Sequence, residues 1–292
     1  MNDFVIPAHP ISMPSSWHDH LRLFRASHPP TSLDVRWHTW TYLIGGSGER
    51  VALLLHGSES DAESLFGAMS LLERHYTVIA PTYPDELNSL DDVCAGLATL
   101  LEHVGAPALV VGYSMGGYLA QALAERRPDL VDRLVLCNTG GPAPAALRMV
   151  RVQYSLLAAT PDSLLRGALR AGAGLPLWRE SPGLSAADYL FWRGYFIEMA
   201  ARISKRAMLG HGRIIEQFLA GRAAPPAKLA GEPGRVLILD AAYDHVIEAV
   251  ERAALRAAYP LAYTRLLTTM GHLSALTQPG DFIAAIEEAF PA

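Results

Sequence analysis

Unbroken apolar runs alternate along the chain with segments whose apolar residues return every three or four positions. Val51 to Leu55 is continuously apolar, and Tyr76 to Ala80, Ala108 to Val111, Arg133 to Cys137 and Arg235 to Leu239 share its character. Runs this short and this apolar predict strands of a sheet covered on both faces. Between them, Leu90, Val93, Leu97, Leu100, Leu101 and Val104 recur at helical spacing. Strands alternating with helices predict an α/β protein with a doubly wound, mostly parallel sheet, because parallel strands need right-handed crossovers that place helices on both faces. Upstream, Val35 to Leu43 alternates as a single strand, and Gly45-Gly46-Ser47-Gly48 predicts a turn.

The alternation stops after Gly140-Gly141-Pro142. From Ala145 to about Lys228 the pattern is helical without a convincing strand, punctuated at Gly172 to Pro176 and at Ser181-Pro182-Gly183. The chain therefore divides into an N-terminal extension (1–31), an α/β core (32–142 and 231–292) and an inserted helical lid (143–230) between the sixth and seventh core strands. The extension, with Pro29-Pro30 near its end, reads as a surface segment carrying a short helix near Trp17 to Phe24. The insertion holds Trp178, Tyr189, Phe191, Trp192, Tyr195 and Phe196. Each alone reads as packing between helices; together they predict that some face a cleft. Tyr113, Trp178, Trp192 and Tyr195 are the substrate-binding candidates.

Composition narrows the partners. The chain has 292 residues, half of them hydrophobic (50%), which suits one large α/β domain with an insertion. Its formal charge is −5 and no Lys/Arg run stands out, so nucleic acid is not an expected partner. The two cysteines, Cys94 and Cys137, read as free buried thiols, and neither they nor the histidines make a zinc motif. Met1 to Pro14 lacks the pattern of a signal peptide, and no apolar run is long enough to cross a bilayer. The expectation is a soluble cytoplasmic protein, monomer or homodimer, acting on a small molecule without membrane, cofactor or metal.

The chemistry centres on Gly112-Tyr113-Ser114-Met115-Gly116-Gly117, between an apolar strand and a helical stretch. A serine on a sharp strand-to-helix turn, with a glycine two residues to either side, is held out of the sheet toward a cleft. His56-Gly57 follows Val51 to Leu55, Asp244 follows Arg235 to Leu239, and Gly271-His272 follows Tyr263 to Leu267. These four features, in this order and between these strands, resemble the α/β-hydrolase superfamily over nearly the whole chain. The resemblance implies that Ser114 is a nucleophile, that His272 takes its proton, and that an acid orients the imidazole. Asp244, a few residues past its strand, is the preferred acid. Asp240, at the strand end, competes with it, and Glu248 is a remote third. The implied oxyanion donors are the backbone N–H groups of Ser58 and Met115. His56 and His211 read as structural, and His245 as pocket lining or surface.

More narrowly, Tyr83-Pro84, Gly117 to Gln121, Leu134 to Asn138 and Leu255 to Pro260 are similar to the maspardin-like branch of that superfamily. Maspardin itself lacks the histidine, which suits a binding or adaptor role. His272 is present here, and that departure implies a working enzyme. The expected reaction is hydrolysis of a carboxylic ester or thioester through an acyl-enzyme. Carbon–carbon bond hydrolysis, lactone opening or closure and acyl transfer would use the same residues. A non-catalytic adaptor and a binding protein for a small apolar ligand are the readings of another class.

Overall fold

The computed structural model of the protein describes residues 16–35, 37–172, 183–221 and 227–291. Eight strands form one sheet: β1 (Thr31–Val35), β2 (His38–Gly45), β3 (Arg50–Leu55), β4 (Tyr76–Thr82), β5 (Ala108–Tyr113), β6 (Val131–Cys137), β7 (Val236–Tyr243) and β8 (Tyr263–Gly271). Their spatial order is β1-β2-β4-β3-β5-β6-β7-β8. β1 with β2 and β2 with β4 are antiparallel, and every other pairing is parallel. The continuous apolar runs occupy the middle of the sheet, where β5 is buried along its whole length.

The strand predicted at Val35 to Leu43 is instead two strands, β1 and β2, paired Thr31 with Tyr42 through Val35 with His38. β1 escapes an apolar pattern because it is an edge strand that buries only Val35. On the other side of the sheet the chain changes direction of progress. β4 lies on one side of β3 and β5 on the other, so the segments leaving the carboxyl ends of β3 and β5 part at a topological switch point. That is where His56 and Ser114 stand.

Among the described residues ten helices surround the sheet: α1 (Trp17–Ser27), α2 (Phe66–Leu72), α3 (Leu90–Val104), α4 (Met115–Arg126), α5 (Leu147–Ala159), α6 (Asp162–Arg170), α7 (Ala186–Arg202), α8 (Lys205–Ala220), α9 (Ala249–Ala258) and α10 (Pro279–Ala289), with a few shorter turns between them. Side chains alternate along each strand, and the alternation builds two cores. Leu53, Leu55, Val110, Leu134 and Leu136 face α3, α4 and α8. Ala52, Leu54, Val111, Val135 and Leu237 face α1, α2, α7 and α10.

The described residues between β6 and β7 form helices and connecting turns without a strand, and the two long helices join opposite cores. α7 sends Phe191, Trp192, Tyr195, Phe196 and Met199 into one, and α8 sends Ile214, Ile215, Phe218 and Leu219 into the other. Both helices start on a serine whose hydroxyl accepts a first-turn N–H, Ser185 for α7 and Ser204 for α8.

The N-terminal helix is longer than the sequence pattern implies and is no loose surface segment. α1 buries His20, Leu21 and Phe24, and Trp17 packs its ring against Phe66, Phe191 and Trp192. Two arginines lock this arrangement. Arg25 pairs with Glu63 at 2.7 Å and with Glu198 at 2.5 Å. Arg202 pairs with Asp61, Glu63 and Glu198 at 2.9, 3.1 and 3.0 Å. Helices α1 and α7 and the segment ahead of α2 are thereby joined in one ion-pair network. Cys94 and Cys137 are free and buried. No helix among the described residues is long and apolar enough to cross a membrane.

Candidate active site

Ser114 links β5 to α4 with φ 52° and ψ −123°. A non-glycine residue held there stores about 1–3 kcal/mol of strain, which the surroundings must counter. They do so with its own backbone groups. Ser114 N–H donates to Cys137 O at 3.0 Å, and Ser114 O accepts from Gly117 N–H and Thr139 Oγ1, both at 2.8 Å. The glycines of the motif are required by proximity. A Cβ at Gly112 would lie 2.4 Å from Gly116 O, and one at Gly116 would lie 2.1 Å from Leu55 O. Strand, turn and helix close together only because those atoms are missing.

Three separated segments meet over this turn. His272, just past β8, presents Nε2 to Ser114 Oγ at 3.1 Å and Nδ1 to Asp244 Oδ2 at 3.0 Å. A carboxylate only accepts, so Nδ1 carries the proton and the neutral ring offers Nε2 to the serine hydroxyl. All three residues are buried, with exposures of 8% for Ser114, 7% for Asp244 and 6% for His272. The other Asp244 oxygen accepts the Val246 and Ile247 N–H groups at 2.8 and 3.0 Å. Burial disfavours the Asp244 carboxylate, but the hydrogen bond to His272, the electrostatic pull of that ring and these two N–H groups outweigh it and hold its pKa below the ordinary value. Asp240 is engaged elsewhere, by Arg256, and its pKa is raised by burial against the pull of Arg256 and Arg252. Glu248 caps α9, and its N–H donates to Glu251 Oε2 at 3.0 Å.

Neighbouring groups fix the parts in place. Asn138 Nδ2 donates to His272 O at 2.8 Å and to Gly271 O at 3.2 Å, steadying the turn that carries the imidazole. The Tyr118 hydroxyl donates to Glu251 at 2.5 Å, tying the helix that begins just past Ser114 to the one beyond Asp244. Tyr113 is buried with its ring centroid 5.4 Å from that of His272. The segment after β3 passes directly over Ser114, since a Cβ at Gly57 would lie 3.2 Å from Ser114 Cβ. His56 is fully buried, donates Nδ1–H to Gly57 O at 2.8 Å and stacks on Tyr83 at 4.0 Å. Burial first, and His211 second, drive its pKa down to about 3. Met115 opens α4, so its N–H is one of the helix's unpaired first-turn donors at its positive end.

The remaining candidates fall in different places. Trp192 (0% exposed) and Tyr195 (3%) sit in a ring cluster with Phe66, Phe191 and Phe196, which accounts for both as packing. Trp178 lies outside the described residues. Asn138 has no role in the sequence reading, although a polar residue right after a strand's carboxyl end is an available signal for it. No cluster of three metal-ligating side chains stands among the described residues.

Comparison with known proteins yields a family match and distant relatives. The model of the alpha/beta hydrolase family matches residues 52–286. An uncharacterized protein of Mycobacterium tuberculosis is 33% identical over 132 residues, 41% of this chain and 38% of that protein. This chain thus aligns with well under two thirds of that relative's length. The pyrrolizixenacetamide deacetylase of Xenorhabdus hominickii is 26% identical over 83% of this chain and 91% of its own. Among solved structures, the thermophilic esterase of Thermogutta terrifontis superposes with a TM-score of 0.70 at 18% identity, over 89% of this chain and 97% of that one. These matches carry the superfamily and not the narrower maspardin-like branch.

Proposed function

The chain belongs to the alpha/beta hydrolase family, and on that footing we propose that it is a hydrolase that cleaves a carboxylic ester or thioester through an acyl-enzyme on Ser114. The observation that carries this reading is the relay from Ser114 Oγ to His272 Nε2 at 3.1 Å and from His272 Nδ1 to Asp244 Oδ2 at 3.0 Å. As Ser114 Oγ attacks the acyl carbon, its proton passes to His272 Nε2. Asp244 stabilises the imidazolium that forms, and the same proton then goes to the leaving alcohol or thiol. Water, deprotonated by His272, attacks the acyl-enzyme and releases the acid. The Met115 and Ser58 N–H groups receive the negative oxygen of each tetrahedral intermediate. Loss of one such donor costs roughly 3 kcal/mol in enzymes built this way.

A fluorophosphonate probe tests the reading. Wild type labels at Ser114, Ser114→Ala does not, and Asp244→Asn lowers kcat on p-nitrophenyl esters by roughly 10⁴-fold because the imidazole loses its orienting acceptor. Pure, folded protein that stays unlabelled at Ser114, or that hydrolyses esters equally well as Ser114→Ala, rejects it. Aryl esters, acyl thioesters, lactones and an acetamide assayed side by side rank the acyl groups. The acetamide is included because the Xenorhabdus relative is a deacetylase.

A further inference from the structure

After proline, glycine is the poorest helix former, yet α8 carries two around one histidine, Gly210-His211-Gly212. In a helix interior the pair forgoes about 2 kcal/mol relative to alanine. Close packing explains both. A Cβ at Gly210 would lie 2.4 Å from Leu87 O, and one at Gly212 would lie 2.4 Å from the Tyr154 ring. Without those two carbons the helix settles between the segment after β4 and helix α5.

That approach brings His211 to the loop above the nucleophile. The imidazole is 4% exposed. Its Nδ1 accepts the backbone N–H of Glu59 at 3.2 Å. The ring stands edge-on to Tyr83 at 6.0 Å and 6.3 Å from His56. Glu59 has φ 57°, a left-handed conformation that a residue with a side chain keeps only when neighbouring groups hold it. A nitrogen that accepts an N–H has no proton of its own, so His211 works as the neutral ring with its proton on Nε2. Burial favours that form and lowers the pKa to about 4, against a weaker opposite pull from Asp85. One residue earlier in the loop, Ser58 lies beside the hydroxyl of Tyr154 on α5. Two residues between β6 and β7 thus stand against consecutive residues of the loop.

We propose that His211 is a positioning residue for the oxyanion hole: by accepting the Glu59 N–H it fixes the turn at 57–59, and with it the Ser58 N–H, over Ser114. The proposal rests on the acyl-enzyme reading above. It makes α8 part of the catalytic apparatus rather than a cover for it. His211 does not touch the substrate. Its loss therefore weakens the bond to the charged intermediate more than substrate binding, and lowers kcat while leaving KM in place.

The test compares His211→Asn, His211→Gln and His211→Leu with wild type and Ser114→Ala. Asparagine sets its amide oxygen near the place of Nδ1, glutamine reaches one bond further, and leucine accepts nothing. The expected result is a kcat roughly 10- to 100-fold lower for Leu and Gln, as for a misplaced oxyanion donor. KM stays within about twofold and Asn recovers most of the rate, as expected when one transition-state contact alone is disturbed. Hydrogen exchange over residues 56–62 supplies a readout independent of turnover. The Glu59 amide is protected in wild type and Asn, and exposed in Leu and Gln. If Leu does not fold, the Asn–Gln pair carries the comparison. Equal rates in Asn and Gln, or equal protection of the loop in all variants, overturn the proposal. Undiminished turnover in Ser114→Ala overturns the acyl-enzyme reading instead, and the exchange result still decides whether His211 holds the loop.

Discussion

Helices α7 and α8 and helices α5 and α6 all lie between β6 and β7 but are built in opposite ways. The inner pair is half interior: α7 buries five residues and α8 nine. The outer pair is nearly all surface, since α5 buries Tyr154 alone and α6 buries nothing. Met149, Val152 and Leu156 recur along one stripe of α5 and are 54%, 54% and 65% exposed, and Leu164 of α6 is 63% exposed. The inner helices are also held by polar bonds to the rest of the protein. Arg202 binds α7 to the segment ahead of α2, Glu198 binds it to Arg25 of α1, and Gln217 binds α8 to Asn88 O and the Leu90 N–H at 2.8 and 2.9 Å. The difference teaches that a segment inserted in sequence is not thereby a separate layer in space. Half of it completes the two cores, and half packs on the inner helices with most of its side chains in solvent, so the outer pair opens at the lower free energy.

The strongest challenge to this contrast is Trp192→Ala. The ring is fully buried among Trp17, Phe66, Tyr195 and Phe196, and its removal is expected to cost about 3–5 kcal/mol of stability, measured by urea unfolding. A loss under about 1 kcal/mol would mean that α7 is a cover and not core. Acid sharpens the same division. His20, His56 and His211 are buried and neutral, with pKa values lowered chiefly by burial to about 4, 3 and 4. In the unfolded chain such groups titrate near 6.5. As pH falls below about 6.5 the unfolded chain takes up protons that the folded one refuses, so stability declines down to about pH 4. Glu251 and Asp240, raised by burial, act the other way in the lower part of that window. The decline is therefore clearest between about pH 6.5 and 5.5, as a Tm lower by roughly 5 °C or more. The outer helices contain no histidine, and a flat Tm over that interval would contradict the assignment of neutral rings to the interior. The mildest change is Leu156→Glu or Leu164→Glu, expected to stay within about 0.5 kcal/mol of wild type. A larger loss, seen in the same unfolding curves, would place those side chains in a contact.

What the sequence made legible follows the same line. β3, β5, β6 and β7 are apolar because both faces are covered, and that density of apolar residues is readable without partners. β1 was not, because an edge strand burying only Val35 has no periodicity to detect. Ser114, Asp244 and His272 could be placed by the order of strands and loops, since each stands just past a strand's carboxyl end. Asp240 could be separated from Asp244 only in space, where Arg256 takes the first and His272 the second. The burial of Trp192 and Tyr195 depends on α1, more than 160 residues away in sequence, and no local pattern encodes a contact at that range. His211 looked like any helical histidine because its partner is a backbone N–H, which leaves no mark on residue choice beyond the glycines beside it.

The bond between Ser114 and His272 joins positions 158 residues apart, and β8 can pair only with a β7 already in place. During synthesis Ser114, its helix and the helices between β6 and β7 leave the ribosome before His272 does. On the proposed mechanism a growing chain is therefore chemically silent until β8 docks on β7 and brings its imidazole to the serine.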